Sequence, residues 1–127
     1  MNGTPKGELV LQTVPMPADT NSNGDIFGGW VLSQMDIAGG VAAARRAQGP
    51  TATVAIDAMR FHAPVSVGDL FTVYTRIERT GTTSVTIHVE AWVQRLRFGG
   101  DHIKVTEADF TYVAIQSSGV KRPLPPA

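Results

Sequence analysis

Asp19-Thr20-Asn21-Ser22-Asn23-Gly24-Asp25-Ile26-Phe27-Gly28-Gly29-Trp30 runs straight into Val31-Leu32-Ser33-Gln34-Met35-Asp36, and the reading of the whole chain turns on this stretch. The segment from Ala18 to Gly29 is dense in Asp, Asn, Ser and Gly, which marks a loop. From Trp30 to about Ala47 the pattern changes to a helix, with Val31, Met35, Ala38 and Ala42 at helical spacing. Arg45 and Arg46 fall in its last turn, where positive charge suits the helix dipole, and Gly49-Pro50 stops it. The helix is short of large side chains: Ala38, Gly39, Gly40, Ala42, Ala43 and Ala44 are all small, which permits close approach to a sheet or to a second helix.

Around this helix the chain reads as β. Glu8 to Val14 is a short strand ended by Pro15 and Pro17. Thr51 to Ala63 is extended, Val65 to Asp69 turns, and Phe71 to Arg79 alternates with Phe71, Val73, Thr75 and Ile77 on one side. Thr83 to Val93 has the clearest period of two. Val85, Ile87, Val89, Ala91 and Val93 face one way, and Ser84, Thr86, His88, Glu90 and Gln94 the other. Trp92 interrupts the polar side, as if a partner surface covered it. Leu96 to His102 is a loop, and Lys104 to Gln116 is the last strand. Short turns favour antiparallel pairing, so the expectation is an α+β domain, one long helix lying on a curved antiparallel sheet. Residues 1–127 form one domain in this reading, with 1–7 and 117–127 as loose tails.

Composition bounds the function. The chain has 127 residues, 43% apolar and 17% charged, which fits one ordinary globular domain with a real core. Eleven basic and eleven acidic residues cancel, so nothing favours a nucleic acid or an anionic membrane. There is no cysteine, which removes disulfides, thiolate metal sites and a cysteine nucleophile, and fits the cytoplasm. No apolar run reaches the length of a membrane span, and the first residues lack a signal-peptide core. His62, His88 and His102 have no ligand-like spacing, so no metal site is expected.

Two features could carry chemistry. Gly28 and Gly29 stand where a helix starts. The unpaired N–H groups of a helix N-terminus suit a developing oxyanion, and glycine lets a substrate approach the backbone. The plainer reading is that they shape the turn. Asp36 shares a helix face with Leu32, Gly39, Gly40 and Ala43, an unusual setting for a solvated acid. It reads either as a structural hydrogen-bonding group or as a general base or nucleophile. At 1.5 Å per residue, Gly29 and Asp36 stand about 10 Å apart on one helix, too far to serve the same carbonyl. If both are catalytic they come from different chains, which implies a dimer. Asn21, Asn23 and Asp25 read first as turn formers. His62, before Ala63-Pro64, reads as structural. Asp57 and Arg60 have opposite parity and should not pair. Arg79 to Ser84 offers hydroxyls and backbone donors at a hairpin tip, where a phosphate or nothing but an ordinary turn is expected.

The run Met16 to Trp30 with Ser33-Gln34-Met35-Asp36 behind it closely resembles the bacterial acyl-CoA thioesterases of the YciA type, in the hot-dog fold superfamily. The resemblance continues through Met59-Arg60-Phe61, Pro64 to Asp69 and Gly81 to Val85, and more weakly at Asp109-Phe110-Thr111. It implies a hot-dog fold, a curved antiparallel sheet wrapped around one long central helix. It implies an acyl-CoA substrate, with water as acceptor and no cofactor, coenzyme A being part of the substrate. Asp36 matches the family's catalytic carboxylate, Asn21 its assisting loop asparagine, and Gly28 and Gly29 its oxyanion contacts. Asn23, Phe27, Arg60, Thr82, Thr83 and Ser84 are candidate substrate contacts, with Arg60, Arg79 and Lys104 near the rim for the CoA phosphates. The family's dimers carry composite interface sites and often assemble as trimers of dimers. A histidine-dependent dehydratase is the enzymatic alternative, though no histidine lies in the loop-helix motif. A non-catalytic acyl-CoA-binding module is the other, and its mark would be loss of the helix acid.

Overall fold

The computed structural model of the chain describes residues 3–96 and 99–127. Its elements run β1 (Glu8–Thr13), a 3-10 turn (Pro17–Asp19), α1 (Gly28–Ala47), β2 (Thr51–Phe61), β3 (Leu70–Thr80), β4 (Ser84–Gln94) and β5 (His102–Ala114). The five strands form one antiparallel sheet in the order β1-β3-β4-β5-β2. Met1 and Asn2 of the expected N-terminal tail, and Arg97 and Phe98 of the β4–β5 loop, lie outside the described residues.

The helix lies across one face of the sheet. It buries Val31, Met35, Ala38, Gly39, Ala43 and Ala47, the stripe its apolar spacing predicts with Ala42 at the margin. Because that stripe is thin, the sheet supplies the bulk: Phe71, Val73, Val85, Ile87, Val89, Val93 and Phe110 are fully buried beneath it. Trp30 packs edge-on to Phe71 with ring centroids 5.0 Å apart. Two adjacent glycines in mid-helix destabilise it by roughly 1 kcal/mol each relative to alanine, so their position needs a reason. At Gly39 the reason is contact, since an added methyl would overlap the Tyr112 hydroxyl of β5.

At its C-terminal end the helix stops at Ala47, ahead of Gly49-Pro50 as expected, with Gln48 as the left-handed cap at φ 54°. Three expectations are corrected. The helix begins at Gly28, so both glycines belong to its first turn. The short β2–β3 connection does not make a hairpin. β2 pairs only with β5 and forms a sheet edge, because the chain crosses from one side of the sheet to the other between Phe61 and Leu70. Trp92 needs no partner molecule. It is covered within the chain, its indole N–H bonded to Glu90 at 2.9 Å and its ring against His102 and Lys104.

The C-terminal segment also departs from the loose tail expected after Ser117. Arg122 donates to the carbonyls of Ile115 and Ala47, both at 2.9 Å, and so caps the helix C-terminus with a cation. Arg46 reaches back to the Pro125 carbonyl at 2.7 Å, and Leu124 donates to the Thr82 carbonyl while packing on the core. Near the other terminus, the Lys6 amide donates to Glu90 at 3.3 Å.

Candidate active site

The loop before the helix is closed by its own polar groups. The Asn21 side-chain oxygen accepts from the amides of Asn23 at 2.9 Å and Asp25 at 3.2 Å, and the Asn21 amide donates to the Asp25 carbonyl at 2.7 Å. Gly24, with φ 82°, takes the left-handed turn this closure requires. The loop is anchored by Ile26 N–H to the Val65 carbonyl and Phe27 N–H to the Asp19 carbonyl. The turn-forming reading therefore holds for Asn21, whose side chain closes the loop, while Asn23 contributes its main-chain amide to that closure. It commits the oxygen of Asn21 and leaves its amide NH2 as the group open to a ligand.

Phe27 is the residue before the first helical turn, and it offers no side-chain oxygen to cap the helix. The amides of Trp30 and Val31 both use the Phe27 carbonyl. Those of Gly28 and Gly29 find no acceptor among the described residues. Both glycines are exposed, and a methyl added at Gly29 would meet nothing within 4 Å, while one at Gly28 would stand 3.5 Å from the Phe61 ring. Beside them lies a depression of about 410 Å3 lined by Asn21, Ile26, Gly28, Phe61, His62 and Pro64, among others. His62, assigned a structural role by its position, lines it too.

Asp36 does not reach that depression. It sits two helical turns further on, half-buried, in a contact set of its own. Its Oδ1 accepts hydrogen bonds from the Thr53 hydroxyl of β2 at 2.8 Å and the Tyr112 hydroxyl of β5 at 2.9 Å. Its Oδ2 has no partner among the described residues. The Tyr112 hydroxyl also lies 3.1 Å from the Asp36 main-chain carbonyl. Burial first, then the hydrogen bond and charge of Asp36, push the phenol far above its usual range, so it stays a donor. Neither Thr53 nor Tyr112 stands out in the sequence. The one legible sign was a glycine at helix centre together with a core tyrosine needing a partner for its hydroxyl.

The other candidates are scattered in the single chain. Asn23 is exposed at the loop tip, and Phe27 is exposed beside the glycines. Arg60 is exposed on β2, opposite Glu107 of β5. It follows a bulge at Ala58, where φ is 53°. Thr82, Thr83 and Ser84 form the β3–β4 tip, whose Thr82 and Thr83 carbonyls hold the C-terminal segment and β5. That tip adjoins the C-terminal end of a helix about 30 Å long, remote from Gly28. Lys104, read as a phosphate contact, is paired within the chain, its ammonium 2.9 Å from Glu107 and over the Trp92 ring.

The outer face of the sheet gathers what spacing could not show. Donor atoms of His88, Glu90 and Glu107 lie within 4.8 Å of one another, an arrangement that could hold a metal. In the chain itself they are satisfied by one another, by Asp109 at 3.0 Å from His88 Nδ1, by Trp92 and by Lys104.

With this geometry in hand, similarity to known proteins is specific. Residues 23–98 match the model of the thioesterase superfamily. The acyl-CoA thioester hydrolase YciA of Salmonella typhimurium is 51% identical over 127 residues, covering 98% of this chain and 96% of that protein. Among solved structures, the hexameric thioesterase y2039 from Yersinia pestis superposes with a TM-score of 0.93 at 52% identity, covering 98% of this chain and all of that one. HI0827, a hexameric broad-specificity acyl-coenzyme A thioesterase, does so with a TM-score of 0.93 at 44% identity, covering 98% of this chain and 85% of that one. One helix on a five-stranded antiparallel sheet is here the hot-dog fold, and the chain belongs to the thioesterase superfamily as a member of the YciA type.

Proposed function

We propose that this protein hydrolyses acyl-CoA thioesters to the free acid and coenzyme A, at sites shared between two copies of the chain. The observation that carries this reading is that each chain holds two complementary half-sites. One is an exposed helix N-terminus whose Gly28 and Gly29 amides find no acceptor among the described residues. The other is a carboxylate held by Oδ1, with Oδ2 unpartnered among the described residues. About 10 Å of helix separates them, so no single carbonyl can use both from one chain. The edge strand β2 supports pairing of two copies. It exposes Val54, Ile56 and Phe61, with Ile37 and Phe27 of the helix region also exposed, an apolar surface a lone chain would leave in water.

In the reaction we infer, the thioester carbonyl oxygen accepts from the Gly28 and Gly29 amides of one chain. Asp36 Oδ2 of the other takes a proton from water as the water attacks, or itself attacks to give a mixed anhydride that water then opens. The carbon–sulfur bond breaks and coenzyme A leaves as the thiol. Asn21 acts as a donor through its amide NH2, its oxygen being committed to the loop. Oxygen-18 water in a single turnover tests for the covalent route, since label in the Asp36 carboxylate requires an anhydride opened by water at the aspartyl carbon. The chemistry asks only for water, so we assign no cofactor. We take the assembly to be dimers grouped in threes, in line with the hexameric relatives, and place the reaction in the cytoplasm, which the cysteine-free sequence suits. Among the described residues no helix is long and apolar enough to cross a membrane.

The test is thiol release from acyl-CoAs of short to long chain by the purified protein and by Asp36→Ala. The expected result is release by wild type and a loss of at least about a hundredfold in the variant, some 2.7 kcal/mol of transition-state stabilisation, with fold and assembly retained. A wild type that binds acyl-CoA without releasing thiol returns the binding-module reading. A fully active variant removes Asp36 from the mechanism.

A further inference from the structure

Asp36 projects from a helix, yet what holds its carboxylate comes from two strands. Tyr112 of β5 is 1% exposed, and its single hydroxyl lies within hydrogen-bonding distance of both the side-chain Oδ1 and the main-chain oxygen of the same residue. Thr53 of β2 adds a second bond to Oδ1. The phenol reaches this position only because residue 39 has no side chain, since a methyl there would overlap the hydroxyl and lie 3.1 Å from the ring carbon bearing it. A methyl added at Gly40 would stand 3.9 Å from the same ring, an ordinary contact. Phe110 stacks beside Tyr112, with centroids 6.3 Å apart and planes 14° from parallel, and both rings are buried, so the tyrosine cannot swing aside.

We infer that Tyr112 is a positioning residue for Asp36: admitted by Gly39, its hydroxyl fixes the carboxylate through Oδ1 so that Oδ2 alone is presented to water or thioester. The inference rests on the thioesterase reading above. A buried phenol needs an acceptor, and the helix carbonyl by itself would meet that need. The additional bond to the carboxylate restricts a side chain that would otherwise turn about two torsions on the helix surface. Sub-ångström placement of a reacting oxygen is worth orders of magnitude in rate, and partners behind it commonly supply that placement. The glycine that weakens the helix is in this account the clearance for the clamp.

The experiment compares Tyr112→Phe, Gly39→Ala and the double variant by steady-state thiol release, with melting and assembly state measured in parallel. Tyr112→Phe keeps the ring and removes only the hydroxyl. Its kcat is expected to fall at least about tenfold with KM within about threefold of wild type, the split expected when orientation rather than substrate binding is lost. Gly39→Ala, which keeps the tyrosine but displaces its hydroxyl, should show the same split. The double variant should be no more than about twofold worse than Tyr112→Phe, because the two changes break one contact. A folded, assembled Tyr112→Phe protein whose kcat stays within about twofold of wild type overturns the inference. Should Tyr112→Phe not fold, Gly39→Ala decides alone: retained kcat overturns the inference and the expected split supports it. A wild type that releases no thiol from any acyl-CoA overturns the thioesterase reading beneath it, and is told apart by being measured first.

Discussion

Glu90 shows how much one residue can be asked to bear. It is 1% exposed on the outer face of the sheet, where a carboxylate is normally wet. Burial alone pushes its carboxyl up. Hydrogen bonds from the Trp92 indole, His88 and the Lys6 amide, with Lys104 nearby, more than offset this and hold it below the usual range near 4.5. A depressed folded value means that the ionised form stabilises the fold fully above the ordinary range. That contribution is lost as pH falls through the folded value. The thermal midpoint should therefore drop on acidification, and in Glu90→Gln it should drop less steeply from a lower start. Charge-assisted hydrogen bonds suggest about 2 kcal/mol lost at neutral pH, read by denaturant melts at pH 7 and in acid. Equal acid slopes in the two proteins would remove Glu90 from this account. The alternation along β4 displayed Glu90 as one of an ordinary polar row, and no local pattern shows that Trp92, Lys6 and His88 converge on it.

At the scale of the element, the start of α1 is where backbone and chemistry meet. Phe27 has φ −56° and ψ 137°, the extended geometry that a residue before proline adopts. Gly28 occupies the first helical position, where proline is tolerated because the N–H has no helical partner. A side chain there would stand 3.5 Å from the Phe61 ring, an ordinary contact. Gly28→Pro therefore removes one donor while keeping the helix. Melting should change little, and kcat should fall by about 10²-fold, the usual cost of one oxyanion donor. Circular dichroism beside the thiol-release assay checks both halves, and an unimpaired proline variant would leave Gly29 as the only amide facing the oxyanion. The helix, its stripe and the Asn-Gly loop were legible because their spacings are local. Thr53 and Tyr112 were not, since they lie 17 and 76 residues from Asp36 in the chain and meet it only through the sheet.

For the whole molecule the question is whether two chains share each site. Co-expressing Asp36→Ala with Gly28→Pro answers it. With composite sites, each mixed dimer carries one doubly damaged site and one intact site, so random pairing restores about a quarter of wild-type activity. With sites confined to one chain, every site carries a lesion and nothing is restored. Tagging the two chains differently and isolating the mixed assemblies sharpens the same readout. The β2 edge was not foreseeable from the chain, because eight residues between β2 and β3 suffice for a loose hairpin or for a crossing of the sheet.

Local order determined a good deal by itself. The apolar period of α1, the alternation of β4, the turn chemistry of Asn21 to Gly29 and the acid at Asp36 all follow from neighbours within a few residues, where sterics and hydrogen bonding act directly. The length of the loop-helix motif was enough to point to its family. Tertiary structure alone decided which strand lies at the edge, that Arg122 ties the C-terminal segment to the helix end, that Lys104 is occupied, and that Tyr112 and Thr53 close on Asp36. Those contacts join residues distant in sequence. They exist only once burial of the helix stripe has fixed how the sheet folds around it, and no spacing along the chain encodes that.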